Sequence, residues 1–128
     1  PNFKIYLIDS EISSSTSEMI ELFNKKQNQK DFLSVFNSSF IKTTNECIYN
    51  LMYSSNHFKD SIKNLSETTF ENMNEMIPES INEIWQQGLK SNKYYLKLCG
   101  SGGGGFFLAF DFENILKDKL SSFNLIEV

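Results

Sequence analysis

The sequence predicts an α+β fold: a four-stranded antiparallel sheet with helices on one face and a multi-helix insertion after the first strand. Three observations predict it. Apolar residues alternate in short runs at the two ends of the chain and again around residue 100. Helical periodicity fills the long interval between the first two of these runs. A single tight connection, crowded with glycine, joins the middle pair of strands. Strand, helical block, two strands, helix, strand is the order of a ferredoxin-like split βαβ sandwich. At 128 residues the chain has the length of one domain.

Phe3–Asp9 reads as the first strand. Phe3, Ile5 and Leu7 fall on one side, Tyr6 and Ile8 on the other, the pattern of an interior strand. Ser15-Thr16-Ser17-Glu18 forms a capping box ahead of Met19, Ile20 and Phe23, so a helix is expected to run to about Lys26. From Phe32 the apolar positions Phe36, Phe40, Cys47, Ile48, Leu51 and Met52 predict one long helix ending near Ser54–Asn56. Phe58, Ile62, Leu65, Thr69, Met73 and Met76 predict another. Pro78 suits the first turn of a further helix, which carries Ile81, Ile84, Trp85 and Leu89 and stops at Ser91–Lys93. Tyr94–Cys99 and Phe106–Phe110 are strands flanking the turn Gly100–Gly105. Asp111 is expected to cap a short helix with Phe112, Ile115, Leu116 and Leu120. Phe123–Val128 is the last strand.

Charge and composition remove several function classes. The net charge is −4 and no arginine is present. Twelve lysines are scattered among sixteen acids, so there is no basic surface for nucleic acid and no guanidinium to clamp phosphate. No apolar run in the sequence reaches the length of a membrane span, and no signal peptide is expected. Cys47 and Cys99 lie in separate apolar runs. Two thiols read as free and buried, which fits a reducing, cytoplasmic setting. The chain starts at Pro1 rather than methionine, and is expected to be a piece of a longer polypeptide.

Five of the six glycines lie between Gly100 and Gly105. Each glycine loses more backbone freedom on folding than any other residue, so such crowding calls for a reason. A flexible linker is one candidate, but the flanking strands are too apolar to be left in water. A plain hairpin is another, but it needs only one or two glycines. The remaining reading is a loop whose bare amides approach an anion, usually a phosphate.

The run Lys97-Leu98-Cys99-Gly100-Ser101-Gly102-Gly103-Gly104-Gly105 resembles the third signature of the GHMP kinase family. The family's version is similar to Lys-Leu-Thr-Gly-Ala-Gly-Gly-Gly-Gly before an apolar strand. Lys97, Leu98, Gly100 and Gly102–Gly105 match it; Cys99 stands for the threonine and Ser101 for the alanine. The helix from Pro78 to Ser91, followed at once by the Tyr-Leu-Lys-Leu strand, is most similar to mevalonate kinase-like members. The resemblance implies that residues 1–128 form the C-terminal domain of a two-domain kinase. It implies ATP and Mg²⁺ as cofactors, held mainly by the missing N-terminal domain, and a small-molecule alcohol as acceptor. It implies that Gly100, Ser101, Gly102, Gly103, Gly104 and Gly105 line the substrate and phosphate cleft. No catalytic residue and no metal ligand is assigned within the chain, and the isolated domain is expected to be inactive. A bulky residue at Gly103 or Gly104 is expected to lower activity more than folding. The competing reading is a non-enzymatic small-anion-binding or regulatory module of the same fold, and homodimerisation is left open.

Other chemistry-bearing residues have plainer readings. Lys97 is taken as a solvent-facing strand lysine. His57 sits in a polar segment between helices, with no spacing that makes a metal site. Cys47 and Trp85 are core, and Cys99 is a small buried hydrophobe. Glu67, Glu71, Glu75 and Glu79 form a solvated helix stripe.

Overall fold

The computed structural model describes residues 2–128. Strand β1 (Lys4–Asp9) is followed by the helical insertion: α1 (Thr16–Gln27), α2 (Lys30–Val35), α3 (Ile41–Met52) and α4 (Phe58–Asn72). A 3-10 turn (Asn74–Met76) leads to α5 (Glu79–Ser91). Then come β2 (Tyr94–Leu98), β3 (Phe106–Asp111), the short α6 (Leu116–Lys119) and β4 (Asn124–Glu127).

The strands form one sheet in the order β2-β3-β1-β4, with every neighbouring pair antiparallel. Thus β1 and β2 run in the same direction with β3 inserted between them, which is the split βαβ arrangement. Lys4 pairs with Asp111 and Asp9 with Phe106; Tyr94 also pairs with Asp111, on its other side. The expected α+β class and four-stranded antiparallel sheet are therefore present.

Helices cover both faces of the sheet, where the element order predicts one. Tyr6, Ile8, Tyr94, Leu96, Phe107 and Ala109 point to the first face and pack against α5 and α6 through Ile81, Ile84, Trp85, Leu116 and Leu120. Tyr95 and Phe110 point to the second, where Cys47 of α3 and Phe58, Ile62 and Leu65 of α4 bury them. Burying both faces explains why these strands are apolar on successive residues rather than on alternate ones. Trp85 joins the layers, its indole N–H donating to the Ser66 carbonyl of α4 at 3.1 Å.

The expected long helix from Phe32 is interrupted. Phe36–Phe40 is a π-helical turn between α2 and α3, where the Ile41 N–H bonds to the Phe36 carbonyl. Three hydroxyls bond back to carbonyls one turn earlier around it: Ser38 to Ser34, Thr43 to Ser39 and Thr44 to Phe40, at 2.6–2.8 Å. Such back-bonding competes with the helical ladder and loosens it. The widened turn stacks the Phe36 ring against Phe32 and Phe40, with centroids 6.0 and 5.4 Å away.

Asp111 caps as expected, but across a longer reach. Its carboxylate, 1% exposed, accepts from the Leu116 N–H at 2.9 Å and the Glu113 N–H at 3.3 Å. The short helix accordingly begins at Leu116. Beside it, Tyr94 is fully buried and its hydroxyl donates to the Ile84 carbonyl at 2.6 Å. Burial, then the Asp111 charge, pushes the Tyr94 phenol up to about 12 from an ordinary 10.0. The unfolded chain ionises first, so this contribution to stability is complete below pH 10 and is lost as pH rises through 12. Urea midpoints measured across that window should fall steeply in the native chain and less steeply in Tyr94→Phe. Parallel curves would exclude Tyr94 as the titrating group.

Candidate functional site

The glycine loop is stitched down from Gly102 to Gly105. The Gly105 N–H donates to the Ile12 carbonyl and the Ser10 N–H to the Gly105 carbonyl, each at 2.9 Å. The Gly103 N–H donates to the Met76 carbonyl at 2.6 Å. The Ser14 hydroxyl donates to the Gly102 carbonyl at 3.1 Å. Residues 10–14 are the link from β1 to α1, so these bonds bring the first turn of α1 alongside the loop. That turn is capped by Ser15, whose hydroxyl accepts from the Glu18 N–H at 3.5 Å. The positive end of the α1 dipole therefore lies beside the glycines.

Two loop amides, those of Gly103 and Gly105, are consumed by this internal pairing. Among the described residues the N–H groups of Gly100, Ser101, Gly102 and Gly104 have no protein partner. The backbone is coiled into the left-handed region at Gly100, Gly102, Gly103 and Gly105, with φ between +64° and +79°. Gly104 needs no positive φ but has no room for a side chain. A Cβ there would lie on the Ile12 carbonyl and 3.2 Å from the Ser14 nitrogen. A Cβ on Gly100 would meet nothing within 4 Å.

A groove of about 330 Å³ opens beside the loop. Gly100, Ser101 and Lys97 form its polar end. Met19, Ile20 and Phe23 of α1 form one wall, and Phe36 and Phe40 of the π turn another. Met73, Met76 and Leu98 complete it. No carboxylate lines it. Lys97 is half-buried here rather than solvent-facing, its ammonium donating to the Leu98 carbonyl at 2.9 Å. Of the six glycine-loop positions singled out in the sequence, Gly100 and Ser101 border the groove directly. Gly102 and Gly104 are buried in the loop's own seat.

The other chemistry-bearing side chains stand apart. His57 is exposed, as are Glu67, Glu71, Glu75 and Glu79; Glu75 pairs with Lys26 at 2.9 Å. Cys47 is buried, and burial pushes its thiol up to about 11 against a smaller opposing pull from the Lys97 charge. Cys99 is half-buried rather than enclosed, and both thiols are free. Among the described residues no group of acids, histidines or cysteines could hold a metal ion. Among the described residues no helix is long and apolar enough to cross a membrane. The groove-lining Met19, Phe36, Phe40, Met73 and Met76 read in the sequence only as helix core; they meet only in the fold, and no local pattern marks them.

Fold and site together define an α+β split βαβ domain with a glycine-rich β2–β3 loop beside an amphipathic groove. No family model matches the chain, and no curated protein matches it. Among solved structures the chain is similar to L. major mevalonate kinase, crystallised in complex with R-mevalonate, with a TM-score of 0.63 and 16% sequence identity. The likeness covers 94% of this chain and 37% of that one. At that identity it shows the fold.

Proposed function

We propose that this chain is the C-terminal domain of an ATP-dependent GHMP-type kinase, mevalonate kinase-like, which phosphorylates a small-molecule alcohol. One observation carries the reading: a loop of five glycines, seated on the link to α1, leaves the Gly100 and Ser101 amides unpaired at the mouth of a groove. Phosphoryl transfer asks little of a protein beyond positioning and stabilising charge on phosphate oxygens. Bare amides held in a rigid bend, with a helix N-terminus alongside, supply both without a guanidinium. The likeness to part of a mevalonate kinase supports the same reading, since this chain spans little more than a third of that enzyme.

In this proposal Gly100–Gly105 form one wall of the cleft where acceptor and γ-phosphate meet. ATP and Mg²⁺ bind mainly to an N-terminal domain that is the chain's partner, and the domain alone transfers no phosphoryl group. The proposed setting is the reducing cytoplasm, a reading that the two free thiols support. A coupled ADP-release assay on the intact parent, with a panel of small alcohols including mevalonate, is expected to show turnover with one of them. The 128-residue chain alone should show none. The second reading, a non-enzymatic anion-binding module, is favoured by one fact: loop and groove are complete within this chain. An intact parent that binds phosphate but turns over no alcohol would select it.

A further inference from the structure

We propose that α1 is a lid over the groove and that the Lys26–Glu75 ion pair is the latch holding it shut. The device governs access to the groove whatever ligand the groove takes. α1 supplies one wall through Met19, Ile20 and Phe23. Met19 also lies over the glycine loop, where a Cβ on Gly103 would stand 2.6 Å from its sulfur. Beneath the helix lie Met73 and Met76, 3% and 4% exposed. Lifting α1 uncovers these two side chains and the middle of the glycine run together.

A helix docked for good is normally fastened by an apolar face. In α1 the one buried residue is Lys26. Met19, Leu22 and Phe23 are only partly buried against Phe32, Met73 and Met76, and Ile20 is 52% exposed. The Lys26 ammonium lies 2.9 Å from the Glu75 carboxylate and 5.3 Å from the centre of the Phe32 ring. Burying a lysine costs desolvation that an apolar side chain in the same seat would not, and a switch is the best-attested use of such a pair. The Glu75 side chain is 55% exposed, so water and salt compete for the bond and it can release. The ends of α1 are tethers. Ser14 ties the N-terminal side to the Gly102 carbonyl, and Gln29 joins the helix to α2 without a side-chain cap. Latch and loop share one support, because Glu75 adjoins Met76, whose carbonyl holds the Gly103 N–H. Seating the loop and closing the lid therefore favour each other.

Two rates, read on the ligand-free 128-residue chain, test this: amide hydrogen exchange, and methionine oxidation by hydrogen peroxide mapped by mass spectrometry. The α1 amides should exchange about a hundredfold faster than those of α5, since a lid opens without global unfolding. Glu75→Gln, outside the groove lining, should speed α1 exchange about tenfold further and leave α5 unchanged. Met73 and Met76 should oxidise about tenfold faster in that variant, while the already exposed Met52 keeps its rate. Raising sodium chloride from about 0.05 M to about 1 M should speed α1 exchange in the native chain and not in Glu75→Gln. Exchange of α1 in step with α5 in the native chain overturns the lid. No rise in α1 on Glu75→Gln, or an equal rise in both helices, overturns the latch; in the second case the pair would brace the whole fold. Faster α1 exchange with no change at Met73 and Met76 overturns the lid as well, because the helix would fray without opening the groove.

Discussion

Gly88→Ala should destabilise the protein by about 2–3 kcal/mol, although alanine is the better helix former. Gly88 lies inside α5, where relief of the glycine penalty alone would stabilise by about 1 kcal/mol. Its Cβ would sit 2.6 Å from the Tyr94 carbonyl oxygen and 2.7 Å from the ring carbon Cε2. Neither neighbour can yield. The carbonyl belongs to β2, and the ring is fully buried with its hydroxyl tied to Ile84, in the same helix. Alanine must therefore lift α5 off the sheet along a face that also carries Ile81, Ile84 and Trp85. For a domain of this size the loss corresponds to a drop of about 10 °C in Tm. An unchanged or raised Tm would mean that α5 and β2 are not in the tight contact described.

Gly104→Ala should be the more damaging of two loop substitutions, with stability and anion binding falling together. Its Cβ collides with backbone, at Ile12 and Ser14, rather than with a side chain that could swing away. The loop must then leave its seat, and the bonds from Gly103 to Met76 and from Gly105 to Ile12 go with it. The cost is about 3 kcal/mol. Gly100→Ala differs. Its Cβ points into open space, and the penalty is about 1 kcal/mol for a non-glycine residue at φ +64°. Gly100 also borders the groove, so there binding should fall further than stability. Paired urea melts and phosphate titrations on the two variants check this. The sequence suggests Gly103 or Gly104 as the position whose substitution lowers activity more than folding; the room around each Cβ makes Gly100 the better test of the proposed ligand contact. If Gly100→Ala binds phosphate as the native chain does, the bare-amide role is excluded.

The strands, the loop and the main helices were legible because each rests on local pattern. Tyr6 and Ile8 alternate with Ile5 and Leu7, and Ser15 precedes its helix with a glutamate three residues on. What was not legible depends on partners distant in sequence. The π turn at Phe36–Phe40 comes from hydroxyls that a periodicity count treats as neutral polar positions. The second covered face of the sheet follows from where α4 docks, and Ile62 and Leu65 look the same whichever face they meet. Gly88 is a lone glycine in a helical pattern, and only the approach of Tyr94 explains it. Lys97 alternates outward on β2 as a solvent-facing residue would, yet α1 and the π turn arrive from far along the chain to enclose it.

The place of β1 in the sheet has a consequence for how the molecule is made. Both of its neighbours, β3 and β4, emerge from the ribosome about a hundred residues later. At about 5–20 residues per second, the first strand spends several seconds with two unsatisfied edges. Lys4 and Asp9 flank the run of isoleucine, tyrosine and leucine, and charges so placed are expected to discourage pairing between nascent chains during that wait. The later-made strands β3 and β4 thus retire the hazard that β1 creates.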